Sequence, residues 1–363
     1  METTQYLNNH DEYMNLAIKL AKKGMGSVSP NPLVGCVVVK DGRIIGEGYH
    51  REFGGDHAEV DALRNCSESP VGASLYVNLE PCSIYGKTSP CVDRIIENGI
   101  TNVYVGIKDY NPKINGNGIE KLKRAHINVY DGILEKECYE LNTGFFKWIE
   151  TGLPWVIIKI AQSQNGYMGV DSNSSTWLTG DDTKINTHQL RSTVDGIMVG
   201  RQTAEIDDPQ LTVRKTTGIN PTRIITDTYR KLPLTLKLFQ DNEASNIVLC
   251  SNKKFSESET SYCTYLPTKD IDGHLDPYDM LKTLGDRGIA KLLIEGGRNL
   301  ISSFLSNNLV DEVYLYTSNN DLENATLDTP FSLDENWEVI REENFINDSL
   351  IIVRRKELCL QES

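Results

Sequence analysis

His57-Ala58-Glu59-Val60, then Glu80-Pro81-Cys82, then Ser89-Pro90-Cys91 form the stretch that decides the fold. The pattern predicts a helix over His57–Arg64, a strand over Ser74–Leu79, and a further helix opened by Pro90 and closed by Asn98-Gly99. Helix, strand and helix in so short a span read as an α/β layer. It brings one imidazole and two thiols to the ends of elements. One His with two Cys is a catalytic zinc set, with three protein ligands and a fourth position free for water. Bound Zn2+ would bring the pKa of that water down towards ~7. Glu59 stands two residues from His57, too close for an i,i+4 metal pair but well placed to take and return the water's proton. Such a set suits hydrolytic deamination of a cyclic amidine. A structural zinc site would want a fourth protein ligand, for which Cys66 is the nearest candidate.

Outward from this stretch the pattern stays α/β. Towards the N-terminus, Met14, Ala17, Ile18 and Ala21 recur at helical spacing within Asp11–Lys23. Ser29-Pro30-Asn31-Pro32 is a loop. Asp41-Gly42 predicts a tight hairpin between strands Leu33–Lys40 and Arg43–Tyr49. Towards the C-terminus come a strand at Thr101–Ile107, a helix at Ile119–Ala125, a strand at Ile127–Tyr130 and one helix over Lys136–Glu150. Thr151-Gly152-Leu153-Pro154 is the expected boundary, giving domains 1–150 and 151–363. In the second, strands are expected at Trp155–Ala161, Asp195–Val199, Arg223–Thr226, Asn246–Ser251, Ala290–Ile294, Asp311–Tyr316 and Leu350–Arg354, with a helix at Asp181–Ser192. Gly296-Gly297 leads into a helix through Ser306. Glycines there let a phosphate reach backbone N–H groups at a positive helix end, or simply make a tight turn.

Composition narrows the function classes. The chain has 363 residues, with 51 acidic against 37 basic side chains and a net charge of −14. So acidic a chain is a poor nucleic-acid binder. Eight cysteines are too sparse for a disulfide scaffold. The N-terminus lacks a signal-peptide core, and the longest apolar runs are strand-sized. The expectation is a cytoplasmic protein acting on a small molecule, with no nucleic acid and no membrane, as a homo-oligomer.

H-x-E followed by P-C is the zinc deaminase signature, except that eight residues separate Cys82 from Cys91 where two are usual. The chain resembles the bifunctional riboflavin-biosynthesis deaminase/reductase family, in which that longer gap is the rule. The resemblance rests on Pro30-Asn31-Pro32-x-Val34-Gly35-Cys36, Gly46-Glu47-Gly48-Tyr49-His50, His57-Ala58-Glu59-Val60, and Leu79-Glu80-Pro81-Cys82-Ser83 through Gly86-Lys87-Thr88 to Pro90-Cys91. It continues through Lys159-Ile160-Ala161-x-Ser163, Trp177-Leu178-Thr179-Gly180, Leu190-Arg191-Ser192, Gly200-x-x-Thr203, Asp207-Asp208-Pro209-x-Leu211-Thr212-Val213-Arg214 and Glu295-Gly296-Gly297.

The resemblance implies a cytidine-deaminase-like three-layer αβα domain followed by a dihydrofolate-reductase-like α/β domain. It implies Zn2+ on His57, Cys82 and Cys91, Glu59 as proton shuttle, and NADPH as reductant. Ala161, Trp177, Thr203, Asp207, Thr228 and Gly297 would face NADPH. Asn31, Lys87, Ser175, Arg191, Leu211, Arg214 and Glu295 would face a phosphorylated pyrimidine substrate. Arg191 and Arg214 make physical sense as a phosphate clamp, since guanidinium offers two donors. The chain departs from the family pattern at Ile84, Tyr110, Asn115 to Gly118, Asn165, Tyr167 and the stretch Thr317 to Pro330. Other readings stay open: a nucleoside or tRNA deaminase, a deaminase whose second half serves only oligomerisation, and a structural zinc module that binds a protein partner.

Overall fold

The computed structural model describes residues 2–85, 89–112, 114–170, 178–256 and 262–356. The chain divides after Gly152 into two compact units.

The first unit runs α1 (Glu2–Ala21), β1 (Gly35–Lys40), β2 (Arg43–Tyr49), α2 (Ala58–Arg64), β3 (Ser74–Leu79), α3 (Cys91–Glu97), β4 (Asn102–Ile107), α4 (Asn117–Arg124), β5 (Asn128–Asp131), α5 (Glu135–Leu141) and α6 (Thr143–Thr151). Asp41 and Gly42 take φ of 50° and 74°, the left-handed pair that a two-residue hairpin needs. β1 and β2 are therefore antiparallel neighbours. β3 runs antiparallel to β1, and β4 and β5 follow in parallel, giving the order β2-β1-β3-β4-β5. Side-chain alternation sends Cys36, Val38, Leu75, Val77, Val103 and Val105 to one face, against residues of α2, α3 and α4. Val37, Val39 and Tyr76 go to the other, against residues of α1, α5 and α6, and Leu79 at the end of β3 packs there too. This is the three-layer arrangement. α2, which carries Glu59, lies directly on β2: a Cβ on Gly48 would stand 2.2 Å from the Ala62 nitrogen.

The expected single helix over 136–150 is broken into α5 and α6. Asn142, with φ of −121°, leaves the helical region and turns its buried amide on Leu33. The Leu33 N–H donates to Asn142 Oδ1 at 2.8 Å, and Asn142 Nδ2 donates to the Leu33 carbonyl at 3.0 Å. The Leu33 N–H depends on that one side chain, while the carbonyl also accepts from Asn78 Nδ2 at 2.9 Å. Asn142→Ala should therefore lower stability by ~1–3 kcal/mol, as measured by urea unfolding.

The second unit holds β6 (Trp155–Gln162), β7 (Tyr167–Gly169), α7 (Asp181–Arg191), β8 (Gly196–Gly200), α8 (Arg201–Asp207), β9 (Thr222–Thr226), α9 (Lys237–Gln240), β10 (Asn246–Ser251), β11 (Thr264–Thr268), β12 (Asp270–Ile271), β13 (His274–Leu275), α10 (Pro277–Gly285), β14 (Lys291–Glu295), α11 (Arg298–Ser306), β15 (Glu312–Ser318), β16 (Leu327–Asp328), β17 (Trp337–Asn344) and β18 (Asp348–Arg355). Nine strands form one sheet in the order β11-β10-β9-β8-β14-β6-β15-β18-β17. It is parallel from β11 to β15, and β18 and β17 close it antiparallel. Both faces are covered, as a parallel sheet requires. Val156, Ile158, Met198, Leu292 and Ile294 enter one core, while Ile157, Ile197, Val199 and Leu293 enter the other. Among the described residues no helix is long and apolar enough to cross a membrane.

Candidate active sites

Three element ends meet in the first unit. His57 caps the start of α2, Cys91 is the first residue of α3, and Cys82 follows β3 by three residues. His57 Nδ1 lies 3.2 Å from Cys91 Sγ and 3.5 Å from Cys82 Sγ. The three candidate ligand atoms all lie within 4.8 Å of one another, the one such cluster among the described residues. The Cys91 backbone N–H, at the open end of α3, points to Cys82 Sγ at 3.3 Å.

The protons of the cluster are shared. The hydrogen bond from the Cys91 thiol outweighs burial and, with His57, pulls Cys82 down to about 4. The same contact, together with burial, pushes Cys91 up. The hydrogen bond with Cys82 lifts His57 to about 9. Two thiols and an imidazole in this grouping fit Zn2+, which would displace their protons on binding. Cys66 is elsewhere: its thiol meets the Ala62 carbonyl at 3.4 Å and underlies Gly46. The described residues thus bring three protein ligands together, the number of a catalytic site. Glu59 sits in the first turn of α2, buried, and burial pushes its carboxyl up while His57 draws it back.

Asn31 reaches this cluster through a residue to which the sequence reading gave no role. His50 is buried, with Nε2 3.0 Å from Asn31 Nδ2 and Nδ1 2.9 Å from the Asp56 carbonyl. A carbonyl only accepts, so the network assigns the proton to Nδ1 and leaves Nε2 to accept from Asn31. The His50 ring stands edge-on to His57, with centroids 5.6 Å apart. A His placed between two polar loops at a strand end was the available signal. Lys87 lies outside the described residues.

In the second unit a cleft of about 1620 Å³ opens at the C-terminal ends of β6, β8, β9 and β14. Parallel sheets bind ligands at this end. Ala161, Thr203, Asp207, Thr228, Gly297, Arg191, Leu211, Arg214 and Glu295 all line it. Ser175 and Trp177 lie outside the described residues. Gly296 and Gly297 take φ of 71° and 74°, and a Cβ on Gly297 would stand 3.1 Å from Thr203 Oγ1. The turn into α11 thus needs bare backbone, and Thr203 packs on it.

Arg191 and Arg214 both line the cleft, and the fork of Arg191 is engaged by Glu295. Nε and Nη2 of Arg191 donate to Oε1 and Oε2 of Glu295 at 2.7 and 2.8 Å, and Nη1 donates to the Thr212 carbonyl at 3.2 Å. Burial would push the Glu295 carboxyl up, but the Arg191 guanidinium outweighs it and holds the group below its usual range. Arg214 bonds Thr212 Oγ1 at 2.7 Å through Nη1, and its backbone N–H donates to His188 Nδ1 at 3.1 Å. Burial, then Arg191 and Arg214, hold His188 down to about 4, so the ring is neutral near pH 7.

The departure at Asn165 also finds a reason. Its Oδ1 accepts from the Leu322 N–H at 3.0 Å and from Ser163 Oγ at 2.6 Å, while Nδ2 donates to the Leu322 carbonyl at 3.3 Å. A carboxylate could not donate that last bond. Asn165 and the altered 317–330 stretch are matched to each other.

A three-ligand zinc-type centre in an αβα unit, followed by a largely parallel sheet with a glycine-turn cleft, defines a deaminase joined to a reductase. Residues 7–107 match the cytidine and deoxycytidylate deaminase zinc-binding region, and residues 154–318 match the RibD C-terminal domain. The chain is 40% identical over 307 residues to riboflavin biosynthesis protein RibD of Aquifex aeolicus (strain VF5), covering 84% of this chain and 85% of that one. It is 39% identical over 309 residues to RibD of Actinobacillus pleuropneumoniae, covering 84% and 82%. The crystal structure of a diaminohydroxyphosphoribosylaminopyrimidine deaminase/5-amino-6-(5-phosphoribosylamino)uracil reductase from Thermotoga maritima matches with a TM-score of 0.87 at 35% identity, covering 97% and 100%. The chain belongs to the RibD family of bifunctional deaminase/reductases of riboflavin biosynthesis.

Proposed function

We propose that residues 1–150 deaminate 2,5-diamino-6-ribosylamino-4(3H)-pyrimidinone 5′-phosphate, and that residues 151–363 reduce the ribosyl group of the product to ribityl with NADPH. The observation that carries the reading is the convergence of His57, Cys82 and Cys91 beside the buried carboxyl of Glu59. Those three side chains would hold Zn2+, which when bound would supply the Lewis acidity that makes water nucleophilic near neutral pH. Glu59 accepts the proton released by the attacking water and passes it to the departing ammonia. Its burial suits this work, because a carboxyl out of bulk water exchanges protons with the reacting groups rather than with solvent. His50 orients the Asn31 amide, which faces the pyrimidine.

In the second half, Ala161, Thr203, Asp207, Thr228 and Gly297 would hold NADPH, and the bare Gly296-Gly297 turn at the start of α11 would offer backbone N–H groups to a phosphate. The cofactor supplies the hydride and the protein supplies orientation and charge. Arg214 is the guanidinium for the substrate phosphate. Glu295, fixed by Arg191, faces the ribosyl group beside Leu211.

The test is a coupled assay on the purified, zinc-loaded chain, with and without NADPH and with products identified by mass. Replacement of an amino nitrogen by oxygen is expected without NADPH, and the reduced product only with it. Absence of the deaminated product would sink the first assignment. Deamination with no NADPH consumption would leave the second half as an oligomerisation module, and light scattering on the same sample reads whether the chain is the expected homo-oligomer.

A further inference from the structure

We propose that Glu80 is the positioning residue of the metal centre: one buried carboxylate that sets the spacing of the two cysteine arms. The inference rests on the zinc deaminase reading above. Glu80 follows β3 and precedes Pro81-Cys82, and it is 4% exposed. Both of its oxygens are taken up by backbone donors. Oε2 accepts from the N–H groups of Asp109 at 3.2 Å and Gly116 at 2.9 Å. Oε1 accepts from those of Gly118 at 2.9 Å and Ile119 at 3.2 Å. Four N–H donors on one carboxylate are charge-assisted bonds, about twice as strong as neutral ones.

The bonds reach both cysteines. Gly118 lies on the Cys82 arm itself, since a Cβ there would stand 2.2 Å from the Pro81 carbonyl oxygen. Gly118 and Ile119 are in the first turn of α4. One turn on, Lys121 Nζ meets Asp93 Oδ1 at 2.6 Å, and Asp93 is in the first turn of α3, which begins at Cys91. Glu80 therefore ties the Cys82 strand end to α4, and α4 ties to the helix that carries Cys91. Asn78, two residues earlier and within β3, does the like for the Asn31 loop. It accepts from the Gly35 N–H at 2.8 Å and donates to the Leu33 carbonyl at 2.9 Å. The end of β3 is the common anchor of the segments around the cluster.

Glu80→Gln keeps the shape but has one acceptor oxygen; its NH2 group would face two N–H donors. Outer partners of metal ligands typically change metal affinity by 10–100-fold. The experiment uses the full chain with no substrate present. Zn2+ affinity is read by competition with a chromogenic chelator, the thiolate–cobalt absorption is recorded after Co2+ loading, and amide hydrogen exchange is followed at Gly116, Gly118 and Ile119. Expected are ~10–100-fold weaker Zn2+ binding, a shifted Co2+ spectrum and faster exchange at those three amides, with NADPH-dependent reduction of the deaminated intermediate unchanged. Zn2+ affinity within about twofold of wild type, with an unshifted spectrum, would overturn the inference. Should Glu80→Gln yield no folded protein, Gly118→Ala decides: its Cβ would stand 2.2 Å from the Pro81 carbonyl oxygen and 3.1 Å from Glu80 Oε1, loosening the hold of the carboxylate on α4, and should weaken Zn2+ in the same way, unchanged affinity overturning the inference. Because these readouts need no turnover, a wild-type chain without deaminase activity would sink the functional reading alone.

Discussion

Glu59→Gln should keep bound zinc at the wild-type level and lose deamination by ~10³-fold or more. The amide fills the same buried space in the first turn of α2 and leaves His57, Cys82 and Cys91 untouched, so the ligand set survives. What disappears is a group able to hold a proton between water attack and ammonia departure. Each transfer assisted by a placed acid or base is worth typically 10²–10⁴, and one carboxyl serves both. Metal analysis and steady-state deamination on the same sample check this. Retained activity with zinc bound would remove Glu59 from the proton path, and zinc lost together with activity would make it a structural neighbour of the ligands.

Arg191→Ala should destabilise the second unit by ~3–5 kcal/mol and abolish reduction. Arg191 and Glu295 are a buried pair, with side chains 12% and 11% exposed, joined by two short parallel bonds. Removing one partner leaves the other charged in a site with little water. The pair also carries a pH signature whose sign is fixed. The Glu295 carboxyl is held below its usual range in the folded chain, while an unfolded Glu titrates near ~4.3. Between those values the unfolded chain binds more protons, so stability rises with pH there. The contribution is complete above the unfolded pKa and is lost as pH falls through the folded one. The difference in melting temperature between wild type and Arg191→Ala should therefore be largest near neutrality and narrow below about pH 4. A difference that stayed constant into acid would show that the ion pair is not its source.

The parts of this molecule that could be read from sequence are those whose causes are local. His57, Cys82 and Cys91 announce themselves because metal chemistry selects few residue types, and because Pro90 and the β3 pattern show that they sit at element ends. The hairpin was visible in Asp41-Gly42. What was missed has distant causes. Asn142 breaks a periodic helix because of Leu33, 109 residues away. The pairing of Arg191 with Glu295, 104 residues on, has no local signal, because the residue type names no partner. Glu80 was read only as part of a motif, since its four donors come from loops folded back onto it. β17 carries almost no buried side chain and shows no alternation, as an edge strand need not. α10 is a different kind of miss. Its start is signalled locally by Asp276, which caps the Tyr278 N–H, and by Pro277 in the first turn.

The bonds between Asn165 and Leu322 have a consequence for how this protein can be recombined with its relatives. The two positions are 157 residues apart in the chain yet form one structural unit, because the amide donates to the Leu322 carbonyl and accepts from its N–H. Grafting a relative's 317–330 stretch onto this chain, or an aspartate at 165 without that stretch, exchanges half of a lock. Crossover points for chimeras belong outside the interval that the two residues bracket, so that key and keyhole come from the same parent.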